Sequence, residues 1–577
     1  MWALILTAGL CATGCGRRED PAAGRRRPPP AGVLAASRRG VSPVRFLDVT
    51  EEAGITFRHE SGRSPEMFYV EPLGSGVIFF DANGDGAPDL YLLNGRRLTG
   101  PAQQPAPINS FYANDGKGHF TDATASSGLG DSRYSVGVCG ADYDNDGDID
   151  LYVTNFDGPN ALYRNDGHGH FTDIAAEAGV EGGPAFDSSC AFADVDGDGL
   201  VDLYVDGYVD HSLRNNKICE AKLRDGSGTA RRYCVPRDYE PIRDILYRNR
   251  GDGTFEDVSE TSGIRRAIGR SLGVAFADLD DDGDEDLFVS CDRTPNLYFE
   301  NMGGGRFREI AMTNGTALSD EGRAQAGMGV ATGDYDGDGK LDVAVTYFEN
   351  ESNALYRNLG GNRFAEMSLR SGTARPSFFL MGWGTEMFDA DLDGNLDWMV
   401  VNGHFIDNVA LFREPVAGYA QPNLFFLNRG DGTFESLESA AGPGLGIEKV
   451  SRGLAVADID GDGDLDVIVS NNNDRPDLLR NDSPREGKHW LMVKTVGTRS
   501  NRNGIGARLT VHLPGKMLVR EVHSGQSYLS QSDLRVHFGL GSNSVVARLE
   551  VRWPSGARSV LENVPADQVL EILEPRD

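Results

Sequence analysis

A nine-residue acidic frame, written seven times, constrains this chain more than any other feature. Asp or Asn stands at positions 1, 3, 5 and 9 and Gly at position 6, as in DVDGDGLVD from Asp194. The seven sets are Asp81, Asn83, Asp85 and Asp89; Asp142, Asp144, Asp146 and Asp150; Asp194, Asp196, Asp198 and Asp202; Asp278, Asp280, Asp282 and Asp286; Asp334, Asp336, Asp338 and Asp342; Asp389, Asp391, Asp393 and Asp397; and Asp458, Asp460, Asp462 and Asp466. Only Asn83 departs from Asp among these 28 positions. Four carboxylates in nine residues repel one another, and no ordinary turn requires them. A hard divalent cation does, because Ca²⁺ takes roughly six to eight oxygen ligands at about 2.3–2.6 Å, and Gly permits the tight bend around it. All 28 residues are therefore candidate ligands for calcium, up to seven ions. The competing reading is a set of solvated acidic turns without an ion.

The frame is not an EF-hand, which needs Glu at position 12 and flanking helices. Position 12 is Val289 counted from Asp278 and Leu92 counted from Asp81. The flanks are short and strand-like, LGVAF before Asp278 and LFVS after Asp286, so each frame reads as the tip of a β-hairpin.

Between the frames, whose starts are 61, 52, 84, 56, 55 and 69 residues apart, lies a second recurring unit. It reads LYRNDGHGHFTDIAAEAGV from Leu162 and LYRNRGDGTFEDVSETSGI from Leu246, a strand, a Gly-rich turn and another strand. Two hairpins make a four-stranded blade, and blades of this length arranged in a ring make a propeller. The last repeat stops at Asp482 without its returning strand, and the chain supplies that half near its start, in FLDVTEEAGI from Phe46. The fold class expected is all-β: a seven-bladed β-propeller over 44–482 closed by the N-terminal strand, which leaves no open sheet edge. Residues 483–577, with alternating runs such as ARLTVHL and ARLEVRW, read as a small C-terminal β-domain with a last strand in the tail.

The formal net charge of −31 repels nucleic acid and anionic membrane surfaces, which argues against both as partners. Seven Ca²⁺ ions would add 14 positive charges and leave −17, so the acidity is in part a metal-binding composition. Cys219 and Cys234 flank the polar insertion CEAKLRDGSGTARRYC and suit a local disulfide; Cys139, Cys190 and Cys291 sit on apolar strands as buried thiols. Residues 1–15 read as a signal peptide. They end in Ala12-Thr13-Gly14-Cys15, which resembles a bacterial lipobox and makes Cys15 a candidate lipidation site; the alternative is plain cleavage. Residues 16–43 are a Pro/Arg-rich tether without periodicity.

The acidic frames and their LYRN hairpins resemble FG-GAP/VCBS repeats, the kind that build the integrin α-subunit propeller. The segments SNRNGIGARLTV from Ser500, REVHSGQSYLSQ from Arg520, HFGLG from His537 and LEVRWPSG from Leu549 resemble the ASPIC/UnbV domain. Together, over about Val44 to Asp577, they are similar to the cartilage-acidic-protein family and its bacterial members. The resemblance implies an extracytoplasmic calcium-binding propeller, with ligands at positions 1, 3, 5 and 9 and a backbone carbonyl at position 7. Asn83 departs from that pattern, which makes the first site the weaker one.

Two functions follow. The first is an exported surface, periplasmic or secreted binding protein, a calcium-stabilised disc presenting loops to a protein or glycan. The second is a propeller enzyme, a hydrolase or oxidoreductase with a site on the central face. No GxSxG, HExxH, Rossmann or P-loop motif supports it, so no catalytic residue is assigned. His404, in the long spacing after the sixth frame, reads as an exposed loop histidine. Recognition is expected in what is not repeated: the Cys219–Cys234 insertion, the His404 loop and the C-terminal domain.

Overall fold

The apolar runs on either side of each frame pair as antiparallel strands. VIFF of Val77–Phe80 pairs with DLYL of Asp89–Leu92 in the register Phe80↔Asp89 and Phe79↔Leu90. Both strands are buried at every residue, which is why they read as continuous apolar runs. Position 9 of every frame opens the returning strand, so each frame is a hairpin tip. The computed structural model described here covers residues 42–576 apart from 102, 184–185 and 414–416. The expected signal peptide, Cys15 and all but the last two residues of the tether lie outside the described residues.

Each frame hairpin continues into the LYRN-type hairpin. The result, among the described residues, is seven repeating four-stranded units that begin at Val77–Phe80, Tyr134–Ala141, Phe186–Ala193, Ser271–Ala277, Gly327–Gly333, Gly382–Phe388 and Ser451–Ala457. The second and third are joined by one further pairing, Phe186↔Phe156. The seventh takes its outer strand from the far end of the sequence: Phe46–Asp48 pairs antiparallel with Asp477–Asn481, Phe46↔Asn481 and Asp48↔Leu479. One-turn helices, such as Thr124–Ser127 and Ala175–Ala178, follow most outer strands; the sequence reading had assigned only strands and turns there.

The seven leading strands touch one another in cyclic order, the last returning to the first. A second cycle runs through side chains. The Asn that ends each third strand donates its amide to the position-2 carbonyl of the preceding frame: Asn165 to Ala82 (2.9 Å), Asn249 to Tyr143 (2.8 Å), Asn301 to Val195 (3.0 Å), Asn358 to Leu279 (2.6 Å), Asn428 to Tyr335 (2.8 Å) and Asn481 to Ala390 (2.9 Å). Asn114 returns to Ile459 at 2.9 Å. All seven asparagines are buried.

The C-terminal residues form a three-stranded sheet, in which the tail strand Gln568–Leu573 runs parallel to His489–Val496, and a four-stranded antiparallel sheet. Between Lys516–Glu521 and Val536–Gly541 the chain leaves that domain and reaches the leading strands of the repeating units. There it bonds to all seven. Gln531 N–H donates to the Val77 carbonyl and Val138 N–H to the Leu529 carbonyl. Leu529 N–H donates to Ser189 Oγ, and His523 Nδ1 stands 3.1 Å from the Phe276 carbonyl. Ser527 exchanges two main-chain bonds with Val330. Thr385 N–H donates to Ser527 Oγ, and Val456 N–H to Ser532 Oγ. Tyr528 packs edge-on against Trp383, with ring centroids 4.9 Å apart.

Candidate functional site

The third frame shows how the loop is held. Asp194 at position 1 accepts the N–H groups of Gly197, Asp198 and Gly199, each at 3.0 Å. Asp198 at position 5 accepts Leu200 N–H at 2.9 Å. Asp202 at position 9 divides its oxygens, one taking Val195 N–H at 3.2 Å and the other Asn249 N–H at 2.8 Å. Position 9 is thus the link between the frame and the LYRN hairpin. All seven of these residues, Asp89, Asp150, Asp202, Asp286, Asp342, Asp397 and Asp466, are buried and accept the same Asn N–H.

Positions 1, 3 and 5 converge. In the second, third and fourth frames one oxygen from each, Asp142/Asp144/Asp146, Asp194/Asp196/Asp198 and Asp278/Asp280/Asp282, lies within 4.8 Å of the others. In the fifth frame the converging trio is Asp334, Asp336 and Asp342. Position 3 leaves a buried oxygen without a hydrogen-bond partner among the described residues at Asp196, Asp391 and Asp460. Burial first, and the neighbouring carboxylates with it, push Asp142, Asp194 and Asp389 up to about 7 and Asp458 to about 6. Clustered carboxylates with unused buried oxygens are the donor set of a hard divalent cation, so these residues fit Ca²⁺.

The first frame differs, as its Asn suggests. Asn83 Nδ2 donates to Asp85 Oδ2 at 3.0 Å, so the amide spends itself on a carboxylate, and Asn83 and Asp85 are exposed. Elsewhere basic side chains reach the carboxylates: Arg357 to Asp336 at 2.5 Å and to Asp338 at 3.2 Å, Arg485 to Asp462 at 2.8 Å, Lys488 to Asp391 at 3.3 Å, and Arg552 to Asp278.

The frames also seat the C-terminal domain. Position-6 glycines have positive φ, and several lie against that domain. A Cβ on Gly463 (φ 91°) would stand 1.9 Å from Trp490, one on Gly199 2.4 Å from the Arg499 carbonyl, and one on Gly394 3.1 Å from the Gly539 carbonyl. Asp142 N–H donates to Asn503 Oδ1 and Asp278 N–H to Glu521 Oε1.

At the other end of the strands the unrepeated segments gather. Cys219 and Cys234 are disulfide-bonded beneath the hairpin Cys219–Lys222/Thr229–Arg232. That insertion meets the His404 loop, where Asn408 Nδ2 donates to the Arg231 carbonyl and Arg224 N–H to the Leu411 carbonyl. His404 is not exposed as expected. Arg413 and the Phe348 ring lie against it, Ile406 N–H donates to its Nδ1 at 2.9 Å, Glu349 faces its Nε2 at 3.2 Å, and burial pulls it down to about 4. Beside it lies a cavity of about 630 Å³ lined by Tyr69, Arg232, Arg237, Asp292, Trp383 and Phe405 among others. Cys139, Cys190 and Cys291 are buried free thiols. Sequence reasoning missed the Asn cycle, the central segment and this cavity; an Asn in register in every LYRN-type unit was the one available signal.

No helix among the described residues is long and apolar enough to cross a membrane. The FG-GAP-like repeat model matches residues 81–153, 142–205, 238–289, 278–345, 334–400 and 413–469, and the ASPIC and UnbV model matches 497–577. Cartilage acidic protein 1 of Homo sapiens is 27% identical over 513 residues, covering 77% of this chain and 73% of that protein. Its Mus musculus counterpart is 27% identical over 558 residues, covering 85% and 80%. Among solved structures, an Agrocybe aegerita lectin that recognises non-reducing terminal N-acetylglucosamine aligns over 63% of this chain and 81% of its own, at 18% identity and a TM-score of 0.36.

Proposed function

The chain belongs to the family of FG-GAP-like repeat proteins that end in an ASPIC and UnbV domain, and from that premise we propose an exported calcium-binding protein that recognises a protein or glycan. Its seven sheets are the blades of a closed propeller, and the Asn cycle that returns from Asn114 to Ile459 supports that closure. The acidic frames hold up to seven calcium ions as staples, one per blade. The observation that carries this reading is the unpartnered, buried position-3 oxygen of Asp196, Asp391 and Asp460, with Asp196 converging on Asp194 and Asp198 within 4.8 Å. A cation supplies there what no protein donor does.

Recognition falls to the end opposite the frames, because the C-terminal domain occupies the frame side and the unrepeated segments meet at the other. Export follows from the N-terminal sequence, with Cys15 as the lipid anchor when it is processed. Calcium-loaded protein on a glycan array, and as bait for envelope and secreted fractions, tests the reading. Capture that persists in calcium and disappears with EGTA supports it. Hydrolase or dehydrogenase turnover abolished by substituting a central-face residue would replace it with an enzyme.

A further inference from the structure

We propose that the cavity opposite the acidic frames binds a carboxylate-bearing sugar, a ring of the uronic-acid type. This deepens the binding reading above and rests on it. At about 630 Å³ the cavity lies within the range of small-molecule sites, roughly 300–1,000 Å³.

Its charge runs against the rest of the molecule. In a chain of net charge −31, Arg232, Arg237, Arg293 and Arg413 converge on a space that holds two carboxylates, Asp292 and Glu349. Two of the arginines are already engaged. Arg413 pairs with Glu349, and Arg293 pairs with Glu351 and stands over the Phe348 ring at 5.4 Å. The guanidinium groups of Arg232 and Arg237 have neither a carboxylate nor a hydrogen-bond partner among the described residues; Arg232 buries its Nε, while Arg237 is exposed. A buried donor without an acceptor is a standing penalty that a bound anion removes, and a guanidinium fork matches a carboxylate.

The neighbouring acids decide what kind of anion. Asp292, which lines the cavity, accepts Tyr208 OH at 2.7 Å through Oδ2, and its Oδ1 has no donor among the described residues. A compact sulfate has no hydroxyl to offer Asp292 and is repelled by it. A hydroxylated monoanion gives its carboxylate to the free arginines and a hydroxyl to Asp292, Glu349 being held by Arg413. Met328, Trp383 and Phe405 line the apolar wall of the cavity, and Trp383 is fixed there by donating Nε1–H to the Gly403 carbonyl at 2.7 Å and by the Arg452 guanidinium over its ring at 4.0 Å. Arg232 comes from the Cys219–Cys234 insertion, Arg237 from the turn just after it and Arg413 from the His404 loop, so the repeat architecture does not account for them.

Titration calorimetry of the full calcium-loaded chain with methyl β-D-glucuronide, methyl β-D-glucoside and inorganic sulfate tests this. The glucuronide is expected to bind at least about tenfold tighter than either control, and the double variant Arg232→Gln/Arg237→Gln to lose at least about tenfold in glucuronide affinity with its melting temperature unchanged. Equal affinity for glucuronide and glucoside, sulfate binding as tightly as the glucuronide, or no heat up to about 20 mM glucuronide overturns the proposal. So does a double variant that binds as the parent does. These results leave the binding reading standing wherever calcium-dependent capture from fractions persists; loss of both removes both.

Discussion

Removing calcium should lower the melting temperature by several degrees, and the size follows from the frames. Extracellular calcium sites dissociate at about 10⁻⁴–10⁻³ M. At about 1 mM calcium and a dissociation constant near 10⁻⁴ M, each site stabilises the folded chain by roughly 1.4 kcal/mol. Seven equal sites give about 10 kcal/mol, and six, if the Asn83 frame stays empty, about 8 kcal/mol. The compact unit Ser42–Asp577 holds about 540 residues, and an unfolding entropy near 2.1 cal/mol/K per residue makes its total about 1.1 kcal/mol/K. The shift between saturating calcium and EGTA is therefore about 7–9 °C if the unit melts as one. Asp196→Asn, which weakens one site at its unpartnered oxygen, should remove one share, about 1 °C of that shift. Differential scanning calorimetry at matched ionic strength, with magnesium as control, measures both. A shift below about 1 °C, or one that magnesium reproduces, refutes calcium as the staple.

Three further outcomes test the Asn cycle and the central segment. Asn114→Ala orphans the Pro88 carbonyl and leaves the Ile459 carbonyl only Gly118 N–H, and should cost about 1–3 kcal/mol in urea unfolding; a midpoint equal to the parent's would mean that this side chain does not staple the first and last sheets. Glu386 accepts Ser532 Oγ–H at 3.0 Å, and burial pushes its carboxyl from 4.5 up to about 7. Because the folded value is raised, its contribution to stability is present below pH 4.5 and lost as pH climbs through 7. Glu386→Gln should thus gain on the parent between pH 5 and 8, by up to about 3 kcal/mol in calcium-saturated melts, and parallel curves would contradict the raised value. Gly463→Ala places a Cβ 1.9 Å from Trp490 at positive φ, and should cost about 2–4 kcal/mol and open the 483–488 link to protease; unchanged cleavage would show that Trp490 does not need that glycine.

Repetition made much of the fold legible. Seven copies in register isolate positions 1, 3, 5, 6 and 9 from background, and FLDV from Phe46 could be matched to the missing half-hairpin because six intact copies exist to compare with. The role of position 9 was harder to see. Asp202 reads as one more ligand in the sequence, and its two oxygens also accept Val195 and Asn249 N–H, a partnership fixed only when the second hairpin folds back. The Asn side chains lay in plain view, yet their acceptors are carbonyls one sheet away. The segment SGQSYLSQSD has no period because successive residues bond to different strands, Ser527 to the fifth and sixth sheets and Ser532 to the sixth and seventh. His404 sits in a loop by any local criterion, and its burial rests on Glu349 and Phe348, which come from a distant part of the sequence.

The acidic frame therefore carries three demands at once, and they explain its uniformity better than cation binding does alone. Position 1 wraps the loop, positions 3 and 5 turn oxygens toward a common point, and position 9 fixes the neighbouring hairpin whose Asn reaches the next frame. Position 6 must be Gly for the bend, and in the third, sixth and seventh frames the C-terminal domain also lies where a Cβ would stand. A change at one frame is thus felt at the Asn bond to its neighbour and at the domain seat together, which leaves the frames little freedom to specialise for a ligand. The opposite ends of the strands carry no such repeated constraint. There two unrelated insertions meet and bring unpartnered arginines to one cavity of a strongly acidic chain, so selection for a ligand has room to act at that end and not at the frames.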